Sequence, residues 1–155
     1  VLQIFADAYT PVVDSSAIPT GEIASVEGTP MDFRTEKQIG QDIRADFEQL
    51  HFTGGYDHNY VLGRPGEKKI MANAYCRESG IALEAATDCC GVQFYAGNFI
   101  GEQTGKGGAA YHDRSAFCLE SQFYPNAVNE PDFPSPVVKA GDTYHTETSY
   151  RFYLR

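Results

Sequence analysis

The closing stretch from Thr143 to Leu154 alternates without a break: Tyr144, Thr146, Thr148, Tyr150, Phe152 and Leu154 fall on one side, and His145, Glu147, Ser149, Arg151 and Tyr153 on the other. A two-residue period belongs to an extended backbone, whose successive side chains project to opposite faces. The pattern predicts a half-buried antiparallel strand, and it leaves His145 with no catalytic role to explain. Shorter apolar runs recur upstream, each cut off by turn formers. Val1 to Ala6 precedes Pro11, and Ile23 to Val26 lies between Pro19-Thr20-Gly21 and Gly28-Thr29-Pro30. Lys69 to Cys76 faces Ile81 to Thr87 across Glu78-Ser79-Gly80 as a hairpin. With 15 Gly, 8 Pro, 10 Tyr and 10 Phe in 155 residues, the chain reads as all-β, and its length fits one folding unit, residues 1–155. One helix is predicted: Thr35 with Gln38 would cap it, and Ile39, Ile43, Phe47 and Leu50 recur at helical spacing, against which Gly40 counts.

Charge narrows the partners. The formal balance is −9, and no basic cluster is longer than Lys68-Lys69, so the surface would repel nucleic acid and anionic membrane. No stretch is long and apolar enough to span a bilayer as a helix. Cys76, Cys89, Cys90 and Cys118 lack C-x-x-C spacing, which argues against a zinc knuckle or a redox dithiol. Adjacent Cys89 and Cys90 would face opposite ways on a strand. Free thiols in a reducing, cytoplasmic compartment are the simpler reading. Gly101 to Gly108 superficially suggests a phosphate loop, but Lys106 is followed by Gly107 rather than Ser or Thr, so a mobile loop is expected there. Proline-rich Tyr124 to Pro136 should cross the surface.

Three stretches carry candidate chemistry. In Arg114 to Gln122, strand alternation sets Cys118, Glu120 and Gln122 on one face and Phe117, Leu119, Ser121 and Phe123 on the other. Glu120 is a lone carboxylate in an otherwise apolar run. With reduced access to water its pKa would rise and it could serve as a general base; alternatively it simply faces solvent. Gly54-Gly55 lead into Asp57-His58-Asn59 at a loop-to-strand junction, which suits ligand contacts or an Asx-type turn equally. A metal set joining Asp57 and His58 to His112 or His145 lacks a recurrent ligand spacing. Gln93, among aromatics in Gly91 to Phe99, needs a partner for its amide: a ligand hydroxyl or a neighbouring strand. Trp is absent, so stacking on a sugar would fall to Tyr or Phe.

Four blocks in order resemble the aldose 1-epimerase (galactose mutarotase) family: Gly28-Thr-Pro-Met-Asp-Phe-Arg34, Gly55-Tyr-Asp-His-Asn-Tyr-Val-Leu62, Gly91-Val-Gln-Phe-Tyr-Ala-Gly-Asn-Phe99 and Arg114-Ser-Ala-Phe-Cys-Leu-Glu-Ser-Gln122. Pro131 to Gly141 and Tyr144 to Phe152 are similar to its closing strands. The departures are Met31 and Tyr60 where Phe is common, and Ser121-Gln122-Phe123 in place of a segment that usually includes Thr and His. The resemblance implies an antiparallel β-sandwich with a sugar cleft, of which this chain is about the C-terminal half. It implies that Glu120 is the general base, that Asp57 and Gln93 bind sugar hydroxyls, and that hexose anomers such as those of galactose and glucose interconvert with neither cofactor nor metal. The family's general-acid histidine, with an arginine and a second histidine that bind sugar, belongs to a part that would precede Val1. A separate N-terminal segment is therefore the expected partner beside the monosaccharide. Two other readings stay open: a sugar-binding module without catalysis, and a purely structural β domain.

Overall fold

The computed structural model describes all 155 residues. Its strands are β1 (Leu2–Ile4), β2 (Ala8–Tyr9), β3 (Ala24–Ser25), β4 (Asp57–Val61), β5 (Lys69–Tyr75), β6 (Ile81–Thr87), β7 (Gly91–Tyr95), β8 (Gln103–Thr104), β9 (Ala110–Tyr111), β10 (Cys118–Gln122) and β11 (Thr148–Leu154), with one short helix, α1 (Glu48–Thr53). All pairings are antiparallel. One sheet runs β1-β5-β6-β11 and the other β10-β7-β4-β2-β3, with β8-β9 as a separate ribbon.

The two sheets face each other across one core. Leu2, Ile4, Met71, Ala72, Ala74 and Ala85 come from the four-stranded sheet; Tyr9, Tyr60, Val92, Phe94 and Leu119 come from the five-stranded one. Apart from Met71, where a register shift in β5 between Ile70 and Ala72 brings two adjacent residues inward, each set is the every-second-residue half of its strands, which is how a sandwich forms from alternating sequence. The centre is aromatic: Phe33 meets Phe94 edge-on at 5.4 Å, and Tyr56 stacks on Phe94 at 5.3 Å. The hydroxyls of Tyr56 and Tyr60 donate to the carbonyls of Pro30 and Met31, so these buried tyrosines leave no orphan donor.

The hairpin of Lys69–Tyr75 with Ile81–Thr87 forms as expected. The predicted helix from Thr35 does not. Lys37 instead exchanges both backbone hydrogen bonds with Leu2 at the edge of β1, and helix is confined to Glu48–Thr53. Gly40 weakens any helix there, and Ile43 reaches the core from a turn. Helix α1 is pinned by Gln49, whose amide accepts from Val12 N–H at 2.7 Å and donates to Val12 C=O at 3.0 Å.

Four further expectations change. The closing strand begins only at Thr148 and is not half-buried: Phe152 is 68% and Leu154 80% exposed, because β11 is a sheet edge whose Phe152–Leu154 end has no element packed over its apolar side. Gly101 to Gly108, expected as a loop, carries strand β8 and the tight turn at Lys106–Gly108 that leads into β9. Cys89 and Cys90 lie in the bend between β6 and β7 rather than in a strand. The connection after β10 buries Tyr124, Ala127 and Phe133 with Cys90 in a satellite cluster, so it does not simply cross the surface.

Candidate functional site

The outer face of the five-stranded sheet is polar because its strands carry their second alternating set there. Register fixes the rows. Cys118, Tyr95 and Asp57 lie side by side across β10, β7 and β4; Glu120, Gln93 and Asn59 form the next row; Gln122, Gly91 and Val61 the third. Asp57, Gln93, Tyr95, Glu120 and Gln122, with Phe99 and Pro125, line a cleft of about 400 Å³. The three residues singled out from sequence, Asp57, Gln93 and Glu120, thus share one concavity although 63 positions separate the first from the last.

Their environments differ. Asp57 is half-buried, and burial pushes its carboxyl above the ordinary range, opposed by a hydrogen bond that Gln93 Nε2 donates to Asp57 Oδ1 at 2.8 Å. No Asx turn forms at Asp57, which begins β4. Glu120 is exposed, the solvent-facing one of its two readings: β10 is an edge strand and nothing in this chain covers the site face there. The Cys118 thiol beside it is pushed up by burial and by the negative charge of Glu120. Gln93 does not use a backbone group of a neighbouring strand. It is held by side chains, donating to Asp57 and accepting from Gln122 Nε2 at 3.0 Å.

His58 points the opposite way from Asp57, into the core, fully buried and edge-on to Tyr9. Burial lowers its pKa to about 4, so the imidazole is neutral at physiological pH. Adjacent strand positions cannot chelate one ion from opposite faces, so Asp57 and His58 form no metal pair. Of the other histidines, His51 pairs with Asp46 and His112 with Glu102, and His145 lines a separate groove. None lines the cleft.

Two glycines make the site possible. At Gly55, φ is 139° and a Cβ would sit 2.3 Å from Asn98 Oδ1, whose amide ties the backbone carbonyls of Thr53 and Tyr56 just before Asp57. The close approach anticipated for this glycine pair is to Asn98 and Phe99. At Gly91 a Cβ would meet Asn59 Oδ1 at 2.3 Å and the Tyr124 ring at 3.0 Å. Its bare row position leaves room for Gln122 to reach Asn59. Asn59 and Phe99 were not singled out as site residues. Both lie in the quoted blocks, and Asn59 falls on Asp57's face by alternation alone.

The aldose 1-epimerase family model matches residues 1–151. The chain belongs to the aldose 1-epimerase family. It is 45% identical to galactose mutarotase of Sus scrofa over 152 residues, 97% of this chain and 43% of the pig protein. It is 38% identical to aldose 1-epimerase of Escherichia coli K12 over 154 residues, 97% of this chain and 44% of that protein. Among solved structures, a GalM/aldose epimerase homologue from C. elegans superposes with a TM-score of 0.79 at 28% identity, covering 99% of this chain and 45% of that one. This aldose 1-epimerase chain therefore spans less than half the length of the relatives it matches, the share the resemblance implies. No helix is long and apolar enough to cross a membrane.

Proposed function

We propose that this chain carries the base and part of the sugar-binding wall of an aldose 1-epimerase acting on hexoses such as galactose and glucose. The observation that carries the reading is the clustering of Asp57, Gln93 and Glu120 in one cleft rich in hydrogen-bond acceptors, the complement of a ligand rich in hydroxyl donors. Interconverting anomers requires a base for the C1 hydroxyl proton and an acid for the ring oxygen; the hemiacetal opens, rotates about C1–C2 and recloses on the other face. Glu120, open to the cleft, is the base. Asp57 and Gln93 hold hydroxyls, and no cofactor enters these steps. The acid is a histidine on a preceding N-terminal segment that completes the single sandwich domain. The uncovered apolar side of β11 supports such a segment, and four free cysteines support a reducing, cytoplasmic setting.

One observation favours a second reading: no histidine lines the cleft, so by itself the chain is equipped to bind sugar without catalysing the exchange. Native mass spectrometry followed by polarimetry on fresh α-D-galactose separates the two. Rapid rotation change in a sample holding a second polypeptide supports the epimerase, and Glu120→Gln should then slow it by about 10²- to 10⁴-fold with affinity nearly unchanged. Galactose binding by the chain without acceleration supports the binding module. Full activity in Glu120→Gln, or no galactose binding in any sample, would sink the corresponding reading.

A further inference from the structure

A carboxylate can only accept hydrogen bonds, and that fact sets the direction of every amide in the cleft. Asp57 Oδ1 must receive Nε2 of Gln93, which turns Gln93 Oε1 toward β10. There it receives Nε2 of Gln122, and the same nitrogen also donates to Asn59 Oδ1 at 3.1 Å. Both donor hydrogens of Gln122 are thereby spent on neighbours two strands wide, one in β7 and one in β4. The lock is held at a cost, since Asn59 is only 2% exposed and its Nδ2 has no partner; turning that amide over would set two donors face to face. Gly91, lacking a side chain, leaves the passage through which Gln122 spans the sheet.

We infer that Gln122 is a positioning residue: by donating to Gln93 and Asn59 at once, it fixes the orientation of the Gln93 amide and, through it, of the Asp57 carboxylate. The functional consequence rests on the reading of Asp57 as an acceptor for a sugar hydroxyl; the positioning itself does not. With the relay in place, Asp57 keeps Oδ2, Gln93 one N–H and Gln122 its carbonyl for a ligand. Without it, Gln93 is free to turn, and its carbonyl would then oppose the carboxylate. Other ionisable groups on this face near Asp57 are Tyr95 from β7 and Cys118 and Glu120 from β10; on its own strand the neighbouring His58 faces the core and is neutral.

The test follows the Asp57 carboxyl through its titration by carbon-13 NMR in the unmodified chain, in Gln122→Met, in Gln93→Met and in the double variant. Methionine keeps length and removes the donor without adding charge. Burial raises the Asp57 pKa and the Gln93 hydrogen bond lowers it, so Gln122→Met should move the midpoint up. The double variant should match Gln93→Met alone, because Gln122 acts only through Gln93. A midpoint unmoved by Gln122→Met, or moved equally with Gln93 absent, would overturn the assignment. Should the variants not fold, side-chain amide exchange in the unmodified chain decides: both Gln122 Nε2 protons should be protected, and exchange as fast as a free amide would equally overturn it. None of these readouts needs sugar or turnover, so failure of the sugar reading is distinguishable. Where galactose does bind, Gln122→Met should weaken it roughly three- to tenfold, the worth of about one hydrogen bond.

Discussion

Strands β10 and β11 are both sheet edges, both alternate cleanly, and they touch. Tyr150 Oη in β11 donates to Leu119 C=O in β10 at 2.7 Å, and Ser121 and Thr148 share a hydroxyl contact at 2.6 Å. Yet β10 buries Leu119 and turns Glu120 and Gln122 toward a cleft, while β11 leaves Tyr150, Phe152 and Leu154 in solvent. The alternation is equally good in the two. What differs is the opposite layer: Leu119 faces a core fed by both sheets, whereas the apolar side of β11 meets β10 only through Thr148 and Tyr150 and leaves Phe152 and Leu154 bare. Period two sets which residues share a face, and whether that face is buried depends on what stands against it.

The sharpest way to break this comparison is to truncate one apolar residue in each strand. Leu119→Ala should lower stability by about 2–4 kcal/mol in denaturant unfolding, and Leu154→Ala by less than about 0.5 kcal/mol, because only the first opens a cavity. Equal losses would mean that β11 is covered in solution.

A second effect comes from the core face of β4, directly behind the site. His58 has its folded pKa depressed from 6.5 to about 4 by burial, so the unfolded chain takes up the proton first as pH falls. The stability its neutral form contributes is fully present above pH 6.5 and drains away between pH 6.5 and 4, by up to roughly 3 kcal/mol. Thermal melts of His58→Gln should lack that acid limb; a limb unchanged in the variant would assign it to other groups.

Asp57, on the other face of the same strand, has the opposite sign. Its raised carboxyl pKa means that the folded state holds its proton longer, so stability falls as pH rises through the window above the ordinary carboxylate value. Asp57→Asn should therefore be slightly stabilising at pH 7, by about 0.5 kcal/mol, while galactose affinity drops. A destabilised Asn variant with unchanged affinity would make Asp57 a structural residue. The smallest effect is reserved for Ser149→Ala on the exposed polar side of β11, expected within about 0.5 kcal/mol of the parent.

Much of this was legible beforehand because local rules suffice for it. Alternation alone put Glu120 with Gln122 and away from Leu119, and the turn formers at Glu78-Ser79-Gly80 announced the hairpin of β5 and β6. The four family blocks pointed to Asp57, Gln93 and Glu120. The helix expected from Thr35 failed because its apolar spacing was real but its backbone was claimed by a long-range pairing, Lys37 with Leu2, that no local window contains.

By itself, then, the sequence determined facing: which side chains of each strand share a side, where the chain must turn, and which carboxylates and amides belong to the polar set. Tertiary structure alone decided adjacency and burial. It brought β10 and β4 onto opposite flanks of β7, joined Gln122 to Asp57 through Gln93, turned His58 into a neutral core residue and left β11 bare. The physical reason is that side-chain direction follows from the backbone of one strand, whereas burial and hydrogen-bond partners depend on segments distant in the chain that fold against it.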